Sequence, residues 1–158
     1  MVFLKKILVT TDLSDFSLAA VEYATSFGTL YTSRLFLLHV VDGREGFLGR
    51  EGHPRNEEEA RRSLEEFAHA HVPAETRIAL VVKKGEAAEE IRRFAEQEGI
   101  DLIVIATHGR TGLRHMLLGS VAERIVRSSG IPVLTVKPHP FRENILQKED
   151  VEKELHLR

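Results

Sequence analysis

Five short apolar runs punctuate this chain, and between them lie segments whose apolar residues recur at helical spacing. The runs cover residues 7–9, 34–41, 77–82, 101–106 and 131–136. Each is continuous rather than alternating, which is the mark of a strand buried on both faces. The intervening segments place Ala20, Val21, Ala24 and Phe27, then Ala60, Leu64, Phe67 and Ala68, then Ala88, Ile91, Phe94 and Ala95 on single helical faces. Strand followed by helix throughout predicts an α/β fold: one open, mostly parallel five-stranded sheet with helices on both faces and right-handed crossovers.

Local signals fix the ends of these elements. Ser14 and Asp15 are read as caps for the first helix, and Gly28 lies inside its pattern. Asn56 caps the second helix, with Glu59 three residues on, while Glu57 and Glu58 precede Arg61 and Arg62 by one turn. Pro73 closes that helix, Gly85-Glu86 opens the third, and Gly99 ends it. Residues 42–56 carry four glycines, one proline and scattered charges, and read as a long loop of functional or disordered type. Beyond Lys137 the composition changes. Pro138 and Pro140 break the chain, and a charge-rich tail follows with sparse Ile145, Leu146, Val151 and Leu155, either one amphipathic helix packed on a neighbour or a partly ordered extension. The expected organisation is one domain over residues 1–137 and an extension over 138–158.

The bulk properties exclude several classes. With 158 residues the chain can bury a full core without staples. There is no cysteine, hence no disulfide, thiolate nucleophile or sulfur-ligated metal. A formal charge of −2 exerts no overall pull toward nucleic acid or anionic membrane, so neither is an expected partner. No apolar run approaches the ~18 residues of a membrane span, and the first one ends at Thr10, too early for a signal-peptide core. A cytoplasmic location is expected.

In sheets of this kind ligands bind beyond the strands' carboxyl ends, where the strand order reverses. With the order 3-2-1-4-5 that point lies between the first and fourth strands, at Thr10-Thr11-Asp12 and Ala106-Thr107-His108-Gly109. The fourth strand feeds a loop in which nine residues separate Gly109 from Gly119, and Ser120 follows directly at a helix start. Glycines admit a ligand close to the backbone, and the N–H groups of a helix N-terminus stabilise an anion. Two readings of Ser120 stand side by side: a phosphate contact, or a capping box completed by Glu123. Asp12 likewise suits either a nucleoside's amino and hydroxyl groups or a cap shared with Ser14. Val40 offers an apolar wall for a base or is plain core. Arg110 and Arg114 bring charge to the loop, His108 and His115 invite a catalytic or metal reading without a third ligand, and His39 is read as a core or supporting histidine. The loop is neither G-x-x-x-x-G-K-S/T nor G-x-G-x-x-G, and no G-x-S-x-G elbow occurs. Binding is better supported than catalysis.

From about Met1 to Lys137 the chain resembles the universal stress proteins. The carrying features are Thr11-Asp12-x-Ser14, Leu38-His39-Val40, Gly109-x9-Gly119-Ser120 and Pro132-Val-Leu-Thr-Val-Lys137. The ATP-binding branch carries G-x2-G-x9-G-S/T, whose first glycine is Ala106 here, and Thr10 stands where a proline is common. The resemblance implies an adenine nucleotide alpha hydrolase-like fold and binding of ATP or AMP, with Mg²⁺ or Mn²⁺ at the phosphates. Asp12 and Val40 would meet the base, and Ala106 and Thr107 the ribose. Gly109, Arg110, Gly119, Ser120 and Val121 would take the phosphates, with Thr10 and Thr11 beside Asp12 on the nucleoside side. It also implies a homodimer through the fifth strand (Val133, Leu134, Thr135, Val136), acting as a regulatory stress-response module toward a downstream protein not identified by sequence. Two alternatives remain: a slow ATPase or autophosphorylating protein, and a dimer that works without nucleotide.

Overall fold

The computed structural model describes residues 3–42, 54, 56–108 and 118–138. It contains β1 (Lys6–Thr10), a 3₁₀ turn (Asp15–Ser17), α1 (Leu18–Tyr31), β2 (Arg34–Asp42), α2 (Glu57–His71) and β3 (Ile78–Gly85). These are followed by α3 (Ala87–Glu98), β4 (Leu102–Ala106), α4 (Ser120–Ser128) and β5 (Val133–Val136). All five strands are parallel, as the alternation predicted, and their order is β3-β2-β1-β4-β5, the order expected for this fold class.

The two faces of the sheet hold separate cores, because alternate strand side chains point to opposite sides. Ile7, Val9, Leu35 and Leu37 face α1 and α2, which contribute Ala20, Ala24, Leu64 and Phe67. Leu8, Phe36, Leu38, Ile103 and Ile105 face α3 and α4, which contribute Ile91, Phe94, Ala122 and Ile125. Gly28 does not end its helix. It is the point where α1 presses on β2: a Cβ there would meet Leu35 Cδ1 at 2.8 Å. The helix runs on to Tyr31 and stops at Thr32, which takes the left-handed conformation (φ 55°).

Other boundaries differ from the sequence reading for identifiable reasons. β3 continues through Lys83 and Lys84, which pair with Val40 and Val41. An edge strand tolerates lysine because its side chains reach solvent, so the charges concealed the strand. β5 starts at Val133 rather than at residue 131, since Pro132 has no N–H, although its carbonyl still accepts from Ile103 N (2.9 Å). Asn56 does cap α2, its side chain accepting from Glu59 N at 2.8 Å. Ser14 does not cap a helix with its side chain; its hydroxyl is turned back to Asp12. The tail from residue 139 and most of the 42–56 loop lie outside the described residues.

Candidate functional site

The β1–α1 turn is tied together by side chains. Thr11 and Ser17 are both buried, and their hydroxyls lie 2.7 Å apart. Thr11 Oγ1 also accepts from Leu13 N (2.9 Å), and Ser17 Oγ donates to the Ser14 carbonyl (2.8 Å). Asp12 Oδ1 accepts from Ser14 N (3.1 Å) and from Ser14 Oγ (2.5 Å). This Asx turn forces Leu13 to a positive φ of 64°, a conformation that a bulky residue adopts only when its surroundings hold it there. Strain of that kind gathers at functional sites. Beneath the turn, buried His39 places Nδ1 2.9 Å from the Thr11 carbonyl. The histidine is thus a support for the site's floor, in line with the supporting role read from sequence.

Facing this turn is the start of α4. Here the expectation of a Ser120 capping box is corrected: Gly119 is the N-cap (φ −67°, ψ 156°) and Ser120 is the first helical residue. Gly119 N donates to the Thr107 carbonyl at 2.5 Å, which pins the cap one residue earlier and leaves Ser120 inside the helix. A Cβ on Gly119 would stand 3.1 Å from that carbonyl oxygen, so the glycine is where the two segments approach most closely. With no cap side chain at the helix start, the first-turn N–H groups of α4 keep their partial positive charge for a partner outside the helix. Thr107 Oγ1 and His108 Nδ1 lie 2.9 Å apart beside it.

Between these two walls opens a cleft of about 500 Å³. Nine of the eleven residues singled out by sequence line it: Thr10, Thr11 and Asp12 on one side, Val40 on the β2 side, and Ala106, Thr107, Gly119, Ser120 and Val121 on the other. Gly109 and Arg110 lie outside the described residues, as do Arg114 and His115. His108 lines the cleft, but among the described residues no group of three His, Cys, Asp or Glu side chains is arranged to hold a metal.

Sequence reasoning missed two charged residues on the remaining wall. Glu86 caps α3, with Oε1 accepting from Ala88 N (3.3 Å) and Oε2 from Glu89 N (3.0 Å). Arg124 Nη1 reaches Glu86 Oε1 at 2.9 Å, and both residues line the cleft. For Arg124 alone a signal was available: it is four positions after Ser120 and therefore on the same helical face.

The fold is an open parallel α/β sheet with a cleft at the carboxyl ends of its strands, and the comparisons give it a family. The profile of the universal stress protein family matches residues 4–137. The chain is 34% identical over 156 residues to universal stress protein MJ0577 of Methanocaldococcus jannaschii, covering 86% of this chain and 96% of that protein. The solved structure of MJ0577 superposes with a TM-score of 0.72 at 37% identity, covering 86% of this chain and 97% of the other. A universal stress protein solved in complex with cAMP superposes with a TM-score of 0.65 at 25% identity, covering 86% of this chain and 98% of its own. This chain belongs to the universal stress protein family. No helix among the described residues is long and apolar enough to cross a membrane.

Proposed function

We propose that this protein binds an adenine nucleotide, ATP or AMP, in the cleft between β1 and β4, and that occupancy alters a surface read by a downstream protein. One observation carries the reading: the cap position of α4 is a glycine drawn against the end of β4, opposite Asp12, across a cleft of nucleotide size. A relative of the same fold holds cAMP, which supports the ligand class.

In this arrangement Val40 supplies the apolar side of the base pocket, and Asp12 offers its carboxylate to the base or the ribose hydroxyls. Ala106 and Thr107 lie along the sugar. Gly119, Ser120 and Val121 present backbone N–H groups and a hydroxyl to the phosphates, an electrostatic preference for anions at a helix N-terminus. Gly109 and Arg110 complete the phosphate loop in this reading. Mg²⁺ or Mn²⁺ would be carried by the phosphate oxygens, since the described walls offer no ready-made set of three ligands. We further propose a homodimer through β5, an edge strand whose Val133, Leu134 and Thr135 are half-buried in the single chain, in the cytoplasm.

The test is mass analysis of small molecules released by denaturing the purified protein, followed by calorimetric titration with ATP and AMP in Mg²⁺. Co-purified adenine nucleotide, or micromolar or tighter binding, is expected. An empty protein showing no heat with either nucleotide at several temperatures overturns the reading in favour of a nucleotide-independent dimer.

A further inference from the structure

Two helices begin at the edge of the sheet where the cleft opens, and their starts carry opposite charge. α3 follows β3 and α4 follows β4, so in an all-parallel sheet both start at the strands' carboxyl ends. Glu86 closes the start of α3, its two carboxylate oxygens accepting from Ala88 N and Glu89 N. That puts a full negative charge on the positive end of the helix. The start of α4 has no side-chain cap. An anion entering the cleft thus meets a carboxylate at one helix start and bare N–H groups at the other, and electrostatics directs it to α4.

The charge balance of the cleft makes one residue stand out. Three carboxylates line it, those of Asp12, Asp42 and Glu86, and among the described residues of its walls Arg124 is the only lysine or arginine. Arg124 lies one turn beyond Ser120, about 6 Å further along α4 at ~1.5 Å per residue, on nearly the same face. Helical side chains lean toward the N-terminus, and this one does, its Nη1 reaching Glu86 Oε1 at 2.9 Å. The next arginine of the helix, Arg127, pairs instead within α4, with Glu123 at 3.1 Å. The Arg124–Glu86 pair is well exposed, at 61% and 37% of the two side chains, and a pair of that kind is weakly held. A phosphate group, with more charge and several acceptor oxygens, competes for the same guanidinium.

We infer, resting on the nucleotide reading above, that Arg124 is a phosphate ligand held on Glu86. When nucleotide fills the cleft, the guanidinium leaves Glu86 Oε1 and donates to a phosphate oxygen beside the start of α4. Glu86 gives up little in the exchange, because its oxygens keep the Ala88 and Glu89 N–H groups. It touches no ligand. Its part is to compete with the phosphate for Arg124, and so to restrain affinity.

The test is competition against a fluorescent ATP analogue in the full-length chain, with ATP, AMP and adenosine as competitors. Arg124→Gln should weaken ATP and AMP at least about 10-fold but adenosine, which has no phosphate, less than about 2-fold. Glu86→Gln should strengthen ATP and AMP about 3-fold, since the amide still offers an oxygen to the α3 N–H groups but no longer holds the arginine. Opposite signs for the two variants are the mark of competition. A bridge that merely ties α3 to α4 would weaken all three ligands in both variants. That result, or an unchanged ATP affinity in Arg124→Gln, overturns the inference and leaves the nucleotide reading standing. A parent protein that binds neither ATP nor AMP in calorimetry overturns the nucleotide reading itself, and the role of Arg124 with it.

Discussion

The two walls of the cleft are built by opposite means. The β1–α1 wall is a mesh of side-chain hydrogen bonds in which Thr11, Ser14 and Ser17 satisfy one another and fix Asp12. The α4 wall is backbone: a glycine cap, a carbonyl and the first N–H groups of a helix. Side-chain meshes fix a geometry and register their loss as stability. A bare helix start contributes little to stability and leaves its polar groups for a ligand. The contrast separates a wall that positions from a wall that is proposed to bind, and substitutions on each should fail in different assays.

The largest effect is expected at the binding wall. Gly119→Val adds a branched side chain where even a Cβ stands 3.1 Å from the Thr107 carbonyl oxygen. The close approach must open, carrying the helix start away from β4. Nucleotide affinity should fall at least about 100-fold, roughly 2.7 kcal/mol, while circular dichroism and the denaturation midpoint stay near the parent values. Unchanged affinity in calorimetry would remove this helix start from the site.

On the positioning wall, Thr11→Val keeps the shape and deletes the hydroxyl. Leu13 N and Ser17 Oγ then lose a buried partner, and Leu13 is no longer held at positive φ. A stability loss of about 1–3 kcal/mol is expected from urea denaturation. Affinity should fall by less than for Gly119→Val. A variant as stable as the parent would mean that the mesh does not hold the turn.

Asp12→Asn lies between the walls' two modes. The amide retains an oxygen for Ser14 N, so the turn survives, but the negative charge is gone. We expect about a 10-fold loss of nucleotide affinity, near 1.4 kcal/mol, with stability changed by less than that. A stability loss larger than the affinity loss would assign Asp12 to the mesh instead of to the ligand.

The asymmetry also explains what could be read from the sequence. The strands and both cores follow from continuous apolar runs such as Leu35 to Leu38, since burial on both faces leaves strands no polar positions. The strand-end residues of the site were legible because topology alone brings Thr10–Asp12 and Ala106–Thr107 together. Ser120 stayed open between a cap and a phosphate contact because a serine at a helix start is ordinarily its cap, and only the Gly119–Thr107 contact, a tertiary event, shifts the cap to Gly119. The Glu86–Arg124 pair joins residues 38 positions apart on different helices, a relation that no local pattern encodes.

The smallest effect concerns Ala106, which stands where the G-x2-G-x9-G-S/T pattern has its first glycine. Ala106 ends β4, pairs with Val136 of β5 and lines the cleft half-exposed. Its methyl group either stands in the sugar's path or is accommodated by it. Ala106→Gly should raise nucleotide affinity about 3-fold, roughly 0.6 kcal/mol, and lower stability by about 0.5–1 kcal/mol, the cost of glycine's added freedom in the unfolded chain. Opposite signs in the two assays would identify Ala106 as a residue that firms the strand end at some expense of binding. A loss of affinity would instead make the methyl a packing contact for the ligand, and the binding wall would then owe part of its grip to an apolar side chain as well as to bare backbone.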